Sequence, residues 1–170
     1  MLDNLCPETD MCLDQAILAI RSKRPKVSKS LSFNIYQSGR CVQLWVNTPA
    51  CKFSLSGKCS ICDYWDGEVV EDAINQACKY INNIGNAYDT LLLNTCGSCL
   101  CDEELPFEQL MNLVSAIAKT TVKRVILESH PVYATVEKLT SIVNVLDSKE
   151  VVLEYGQEAT FPLCFAILPE

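Results

Sequence analysis

Hydrophobic positions along the chain fall into short solid runs separated by stretches with helical spacing. The strongest runs lie within Arg40 to Thr48, Tyr88 to Asn94, Val122 to Glu128 and Glu150 to Tyr155. Tyr88-Asp-Thr-Leu-Leu-Leu-Asn94 is apolar at its centre, as a strand buried on both faces would be. Between the first two runs, Val69 to Ile81 carries Val70, Ala73, Ile74, Ala77 and Ile81 at helical spacing. A second helix is expected from Pro106 to about Lys119, with Pro106 in its first turn, and a third from Thr135 to Leu146, capped by Thr135. Strand and helix alternate through four strands, which implies βαβ units with right-handed crossovers and a parallel sheet.

Ahead of this pattern, Met11, Leu13, Ala16, Ile17 and Ile20 predict an amphipathic helix over Asp10 to Arg21. Ser22 to Ser30 reads as a polar linker, and Ser32-Phe-Asn-Ile-Tyr36 as a short lead-in strand. The expected division is an N-terminal helix and linker over 1–39, an α/β unit over 40–160 and an apolar tail over 161–170.

Composition narrows the function classes. At 170 residues and 49% hydrophobic, the chain is long enough to bury a core as one domain. A net charge of −7 gives no electrostatic footprint for nucleic acid, since phosphate binding wants clustered Lys and Arg. The one basic cluster, Arg21-Ser-Lys-Arg-Pro-Lys26 with Lys29, is short and reads as a solvated linker. No stretch approaches the roughly 18 uninterrupted apolar residues of a membrane helix. The first residues, Met1-Leu-Asp-Asn-Leu, lack the basic start and apolar run of a secretory signal, so a cytoplasmic protein without a membrane partner is expected. Eleven Cys, an odd number, do not read as a disulfide framework; in a reducing compartment grouped Cys more often bind metal.

The chemistry gathers after the strands. Val42-Gln-Leu-Trp-Val46 leads into Cys51-Lys-Phe-Ser-Leu-Ser-Gly-Lys-Cys59-Ser-Ile-Cys62. The C-x-x-C pair lets two sulfurs reach one metal centre, and the third Cys closes a three-sided cradle suited to an iron–sulfur cluster or to zinc. Cys96-Gly-Ser follows the second run, Glu128 ends the third, and Gly156-Gln-Glu158 follows the fourth. In parallel α/β barrels the carboxyl ends of the strands carry the chemistry, so this coincidence of position points to a single site.

Three Cys in the loop after the first strand of such a barrel resemble the signature of radical S-adenosylmethionine (radical SAM) enzymes. The spacing here, C-x7-C-x2-C, resembles the long loops of the Elongator catalytic subunit and of a group that includes the archaeosine-forming tRNA enzyme. Asn94-Thr-Cys-Gly-Ser-Cys-Leu-Cys-Asp-Glu-Glu104, Leu127-Glu-Ser-His-Pro131 and Glu154-Tyr-Gly-Gln-Glu158 are similar to that group's later motifs, so the likeness covers about residues 40 to 160. The resemblance implies a partial parallel (β/α) barrel with about four strand–helix units present. It also implies a 4Fe–4S cluster on Cys51, Cys59 and Cys62, with S-adenosylmethionine bound to the remaining iron. Reductive cleavage of the sulfonium, with an external electron donor, would release a 5′-deoxyadenosyl radical that abstracts hydrogen from a substrate. Gly97 and Ser98 would approach the methionine end of the cofactor, and Glu128 and Glu158 its ribose and sulfonium. A tRNA nucleoside is the substrate class implied, with RNA contacts coming from a missing domain or a partner chain.

The chain also departs from that family. His130 stands where the related proteins carry Arg, and Ile61 replaces an aromatic near the adenine, for which Tyr64 or Trp65 are the candidates. Six strand–helix units are usual, whereas this chain stops just after the fourth, so a truncated member is expected. Two bland readings stand beside the leading one. The first is a non-catalytic truncated scaffold that holds an iron–sulfur cluster or zinc, the three Cys in the zinc case taking Cys41 or Cys96 as fourth ligand. Cys96, Cys99 and Cys101 could form a second metal site, although small side chains filling a turning backbone is the expected role.

Overall fold

In the computed structural model, residues 33–49, 51–52 and 72–155 are described. The expected helix at Asp10–Arg21, the linker after it and the apolar tail lie outside the described residues. The elements are β1 (Phe33–Ser38), β2 (Cys41–Val46), α1 (Ala73–Asn82), β3 (Thr90–Asn94), α2 (Phe107–Ala118), β4 (Arg124–Glu128), α3 (Val136–Leu146) and β5 (Glu150–Glu154), with one 3-10 turn at Pro131–Tyr133. Each strand and helix expected within the described residues is present, with ends shifted by a few residues.

The five strands form one sheet in the order β1-β2-β3-β4-β5. β2 through β5 are parallel, as the alternation implied. The lead-in strand β1 runs antiparallel to β2 and pairs along its whole length, from Phe33 opposite Val46 to Ser38 opposite Cys41. Gly39 makes the tight hairpin between them at φ +56, a conformation L side chains rarely adopt. Strand order follows chain order without reversal, so the sheet is singly wound. The three helices share one face, α1 packing on α2 and α2 on α3.

Register explains the core. Val42, Leu91, Val125 and Val151 lie side by side across the four parallel strands, and Leu44, Leu93, Leu127 and Leu153 form the next row. These rows meet Ala77 and Ile81 of α1, Leu110, Leu113 and Ile117 of α2, and Ile142 and Leu146 of α3, each set recurring at helical spacing. Removing the Val, Leu and Ile side chains among them from water stabilises by roughly 1.5–3 kcal/mol apiece, which is what holds the helices to the sheet. On the opposite face Gln43, Leu92, Ile126 and Val152 form a half-buried row.

The starts of α2 and α3 follow the sequence signals. Pro106 is the N-cap of α2, where a missing N–H costs nothing. Thr135 caps α3, its hydroxyl accepting from Lys138 N–H at 3.3 Å. At the amino ends of the strands Arg40 grips Asp89 with two hydrogen bonds, and Lys149 Nζ donates to the carbonyls of Thr120 and Val122 at 2.7 and 2.6 Å. These contacts brace the turns at that end. The other end is built differently.

Candidate functional site at the carboxyl ends of the strands

The segments leaving β2, β3 and β4 bury polar side chains that a purely structural turn would expose. Asn47, Thr48, Asn94, Thr95, Ser98, Glu104 and Ser129 are all buried. Buried polar groups need partners, and here they bind the three segments to one another. Thr48 Oγ1, after β2, accepts from Cys96 N–H at 3.2 Å, after β3. The Glu128 carbonyl accepts from Cys99 N–H at 3.0 Å, and Ser98 Oγ accepts from His130 N–H at 3.0 Å, which ties the β3 segment to the end of β4. Ser129 N–H reaches the Glu154 carbonyl at 3.0 Å and so fastens β5 to the same end.

Cys51 lies at this end too, half-buried and two residues past Pro49 in the segment that leaves β2. Its neighbour Lys52 donates its backbone N–H to Glu104 Oε1 at 2.8 Å, and Ser98 donates its own to Glu104 Oε2 at 2.5 Å. One carboxylate therefore brings the Cys51 and Gly97–Ser98 segments together. Burial raises the Glu104 carboxyl above the ordinary range, while the amides of Lys52 and Ser98 pull it down. The side chain of Lys52 turns outward to Glu103 Oε1 at 2.7 Å. A cleft of about 830 Å³ opens beside these groups, lined by Asn47, Thr48, Asp72, Glu104, Gln109 and Asn112.

On the sheet face away from the helices a second polar chain runs across the strand ends. Gln43 Nε2 donates to Asn94 Oδ1 at 2.9 Å, and Asn94 Nδ2 donates to Glu128 Oε2. Glu128 stands in register with Glu154 of β5.

Of the residues singled out from sequence, Cys51, Gly97, Ser98 and Glu128 are gathered at this one end. Cys59, Cys62 and Glu158 lie outside the described residues. Gly97 and Ser98 are engaged inward, with Gly97 N–H on Thr95 Oγ1 at 3.3 Å. Cys41 cannot be a fourth ligand beside Cys51. It is the first residue of β2, and five strand steps of about 3.3 Å put it roughly 17 Å from the end of that strand. Cys96 is at the correct end.

The buried thiols of Cys96, Cys99 and Cys101 carry no disulfide. Cys99 Sγ donates to the Leu93 carbonyl at 3.3 Å, and full burial pushes its pKa up to about 12, so it is a neutral thiol filling the turn. Among the described residues no three His, Cys, Asp or Glu side chains gather as a metal group. Burial also raises the Tyr133 phenol, as does the hydrogen bond it shares with Cys101. His130 behaves as a turn residue: its Nδ1 accepts from Val132 N–H at 3.4 Å, and burial lowers its pKa.

Sequence reasoning missed Glu104 and the Gln43–Asn94 pair. Glu104 closes the quoted Asn94–Glu104 motif, directly before Leu105-Pro106, but nothing in its spacing marks it as buried rather than as an ordinary acidic residue ahead of a helix. Of the three expected ligands Cys51 is the one described, a half-buried thiol at the carboxyl end of β2 whose following amide is held by Glu104. No protein-family model matches the chain, and comparison with curated proteins and with solved structures finds no match either.

Proposed function

We infer that this chain is an iron–sulfur protein of the radical SAM type, built on part of a parallel (β/α) barrel. The observation that carries the reading is one of position. Cys51 and the Gly97–Ser98 segment follow β2 and β3, Glu128 is the last residue of β4, and all stand at the carboxyl ends of three consecutive parallel strands of a singly wound sheet. A 4Fe–4S cluster on Cys51, Cys59 and Cys62 with bound S-adenosylmethionine would supply reductive sulfonium cleavage, drawing an electron from an external donor.

The residues of the chain bind, orient and exclude water. Cys51 presents its sulfur from a backbone held by Glu104. Glu128 offers a carboxylate already oriented by Asn94, able to accept from ribose hydroxyls or to face a sulfonium. Glu158 is assigned to the same cofactor. A tRNA nucleoside remains the substrate class that the motif likeness supports; the net charge of −7 gives that substrate no support from this chain, so the reading calls on another domain or partner for phosphate contacts.

A second reading is a non-catalytic metal-binding scaffold. It is favoured by Ser98, whose N–H is taken up by Glu104 and whose hydroxyl accepts from His130, an arrangement in which the loop faces inward. Anaerobic reconstitution with iron and sulfide, followed by electron paramagnetic resonance of the reduced protein, separates the two. The radical SAM reading expects a 4Fe–4S signal that changes with S-adenosylmethionine and disappears in Cys51→Ala. A cluster indifferent to the cofactor supports the scaffold, and bound zinc without a cluster overturns the leading reading.

A further inference from the structure

Glu104 is 2% exposed, and a buried carboxylate is costly unless both oxygens find donors. Both do, and the donors are backbone amides of two different segments: Lys52 after β2 at 2.8 Å and Ser98 after β3 at 2.5 Å. Charge-assisted bonds of this kind are among the stronger ones available to a backbone N–H. Against the same carboxylate lies Gly97. A Cβ built there would stand 1.9 Å from Oε2 and 2.7 Å from the carboxyl carbon. The φ of Gly97 lies outside the left-handed region, so the backbone does not demand glycine; the carboxylate does.

We propose that Glu104 is the positioning residue for Cys51. The amide nitrogen of Lys52 belongs to the planar peptide unit that begins at the Cys51 Cα, so anchoring that N–H fixes the Cα and leaves the thiol little freedom beyond its own side-chain rotation. Gly97 is the other half of the device, the gap through which the carboxylate reaches both amides. The exposed Lys52–Glu103 pair on the outside adds little, being open to solvent. That Cys51 is a metal ligand rests on the function proposed above; the clamp itself does not.

The test uses the full chain. In wild-type protein, amide hydrogen exchange is expected to show Lys52 and Ser98 protected at least 100-fold over an unstructured peptide; free exchange at Lys52 overturns the proposal. Site-resolved alkylation of Cys51 is then compared with Cys41, which sits at the other end of β2 and reports general loosening. Glu104→Ala is expected to speed alkylation at Cys51 at least tenfold with Cys41 unchanged, and Glu104→Gln, which keeps one acceptor, to fall between.

Gly97→Ala is expected to match Glu104→Ala, because its methyl group displaces the carboxylate. The double variant is expected to be no worse than either single one. Equal acceleration at Cys41, or additive effects of the two substitutions, counts against the clamp. Should Glu104→Ala not fold, Glu104→Gln and the wild-type exchange carry the test. On protein reconstituted with iron and sulfide, Glu104→Gln is expected to alter the resonance line shape at unchanged iron per chain. If wild type takes up no cluster, the functional reading fails while exchange and alkylation still decide the clamp.

Discussion

Asn94 donates its side-chain amide to the carboxylate of Glu128, across the ends of two adjacent parallel strands. The same Asn94 accepts from Gln43 on its other side, so its orientation is fixed by both neighbours. An amide held in this way can donate to Glu128 in only one sense, and that leaves the carboxylate oriented.

The first prediction tests that orientation. Asn94 is buried, and Asn94→Asp replaces the donor with a second carboxylate facing Glu128. Loss of the hydrogen bond together with like-charge repulsion is expected to cost at least about 2 kcal/mol at neutral pH, read by urea denaturation. Glu128→Gln keeps an acceptor and the volume, and is expected to cost less than about 1 kcal/mol. An Asn94→Asp protein as stable as wild type would mean that the pair does not organise the strand ends.

The strands and helices were legible in sequence because each buries one side in a regular row. Leu93 packs beside Leu44 and Leu127 whatever the loops do, and that periodicity is printed in the chain. The candidate site was legible in position and not in wiring. Cys51, Gly97, Ser98 and Glu128 were placed by the rule that chemistry follows strand ends. Glu104 was not, since its partners are backbone amides, which leave no side-chain pattern to read. The antiparallel pairing of β1 was hidden for a similar reason: Gly39-Arg40 is a short turn signal, and the orientation of a lead-in strand depends on hydrogen bonds that any sequence can make.

Cys99 gives a prediction in pH. Its folded-state value is raised from 9.0 to about 12 by burial, so the folded protein keeps a neutral thiol where the unfolded chain ionises. The stability this group provides is present below pH 9 and is lost as pH climbs toward 12, because only the unfolded state releases its proton there. Alkylation at pH 8 is expected to spare Cys99 in folded protein while modifying the half-buried Cys51. Cys99→Ala is expected to flatten the alkaline loss of stability. Rapid modification of Cys99 under native conditions would show that the turn opens.

Lys138 links α3 to the segment after β3. Its Nζ donates to the Leu100 carbonyl at 2.7 Å and to Asp102 at 2.9 Å, and its side chain is only 17% exposed. Lys138→Met keeps much of the stem and removes both donors, leaving the Leu100 carbonyl without this bond. The expected cost is about 1 kcal/mol by thermal or chemical unfolding. A neutral outcome would place the hold on this segment in its other bonds, those of Cys96, Ser98 and Cys99 to Thr48, Glu104 and Glu128.

The last prediction separates zinc from a cluster. A tetrahedral zinc site built on Cys51, Cys59 and Cys62 needs a fourth protein ligand if it is structural, whereas a 4Fe–4S cluster with an open iron needs none. Cys41 is excluded by its place at the far end of β2. Cys96 remains as a sulfur at the correct end, buried and with its amide bonded to Thr48 Oγ1. Under the zinc reading Cys96→Ser therefore weakens metal binding about as much as Cys51→Ser, and Cys41→Ser does nothing. Under the cluster reading Cys96→Ser leaves iron per chain at the wild-type level while Cys51→Ser abolishes it. Metal content of the three variants, measured after purification with zinc and after reconstitution with iron and sulfide, distinguishes the two. Loss of iron in Cys96→Ser would count against a three-cysteine cluster.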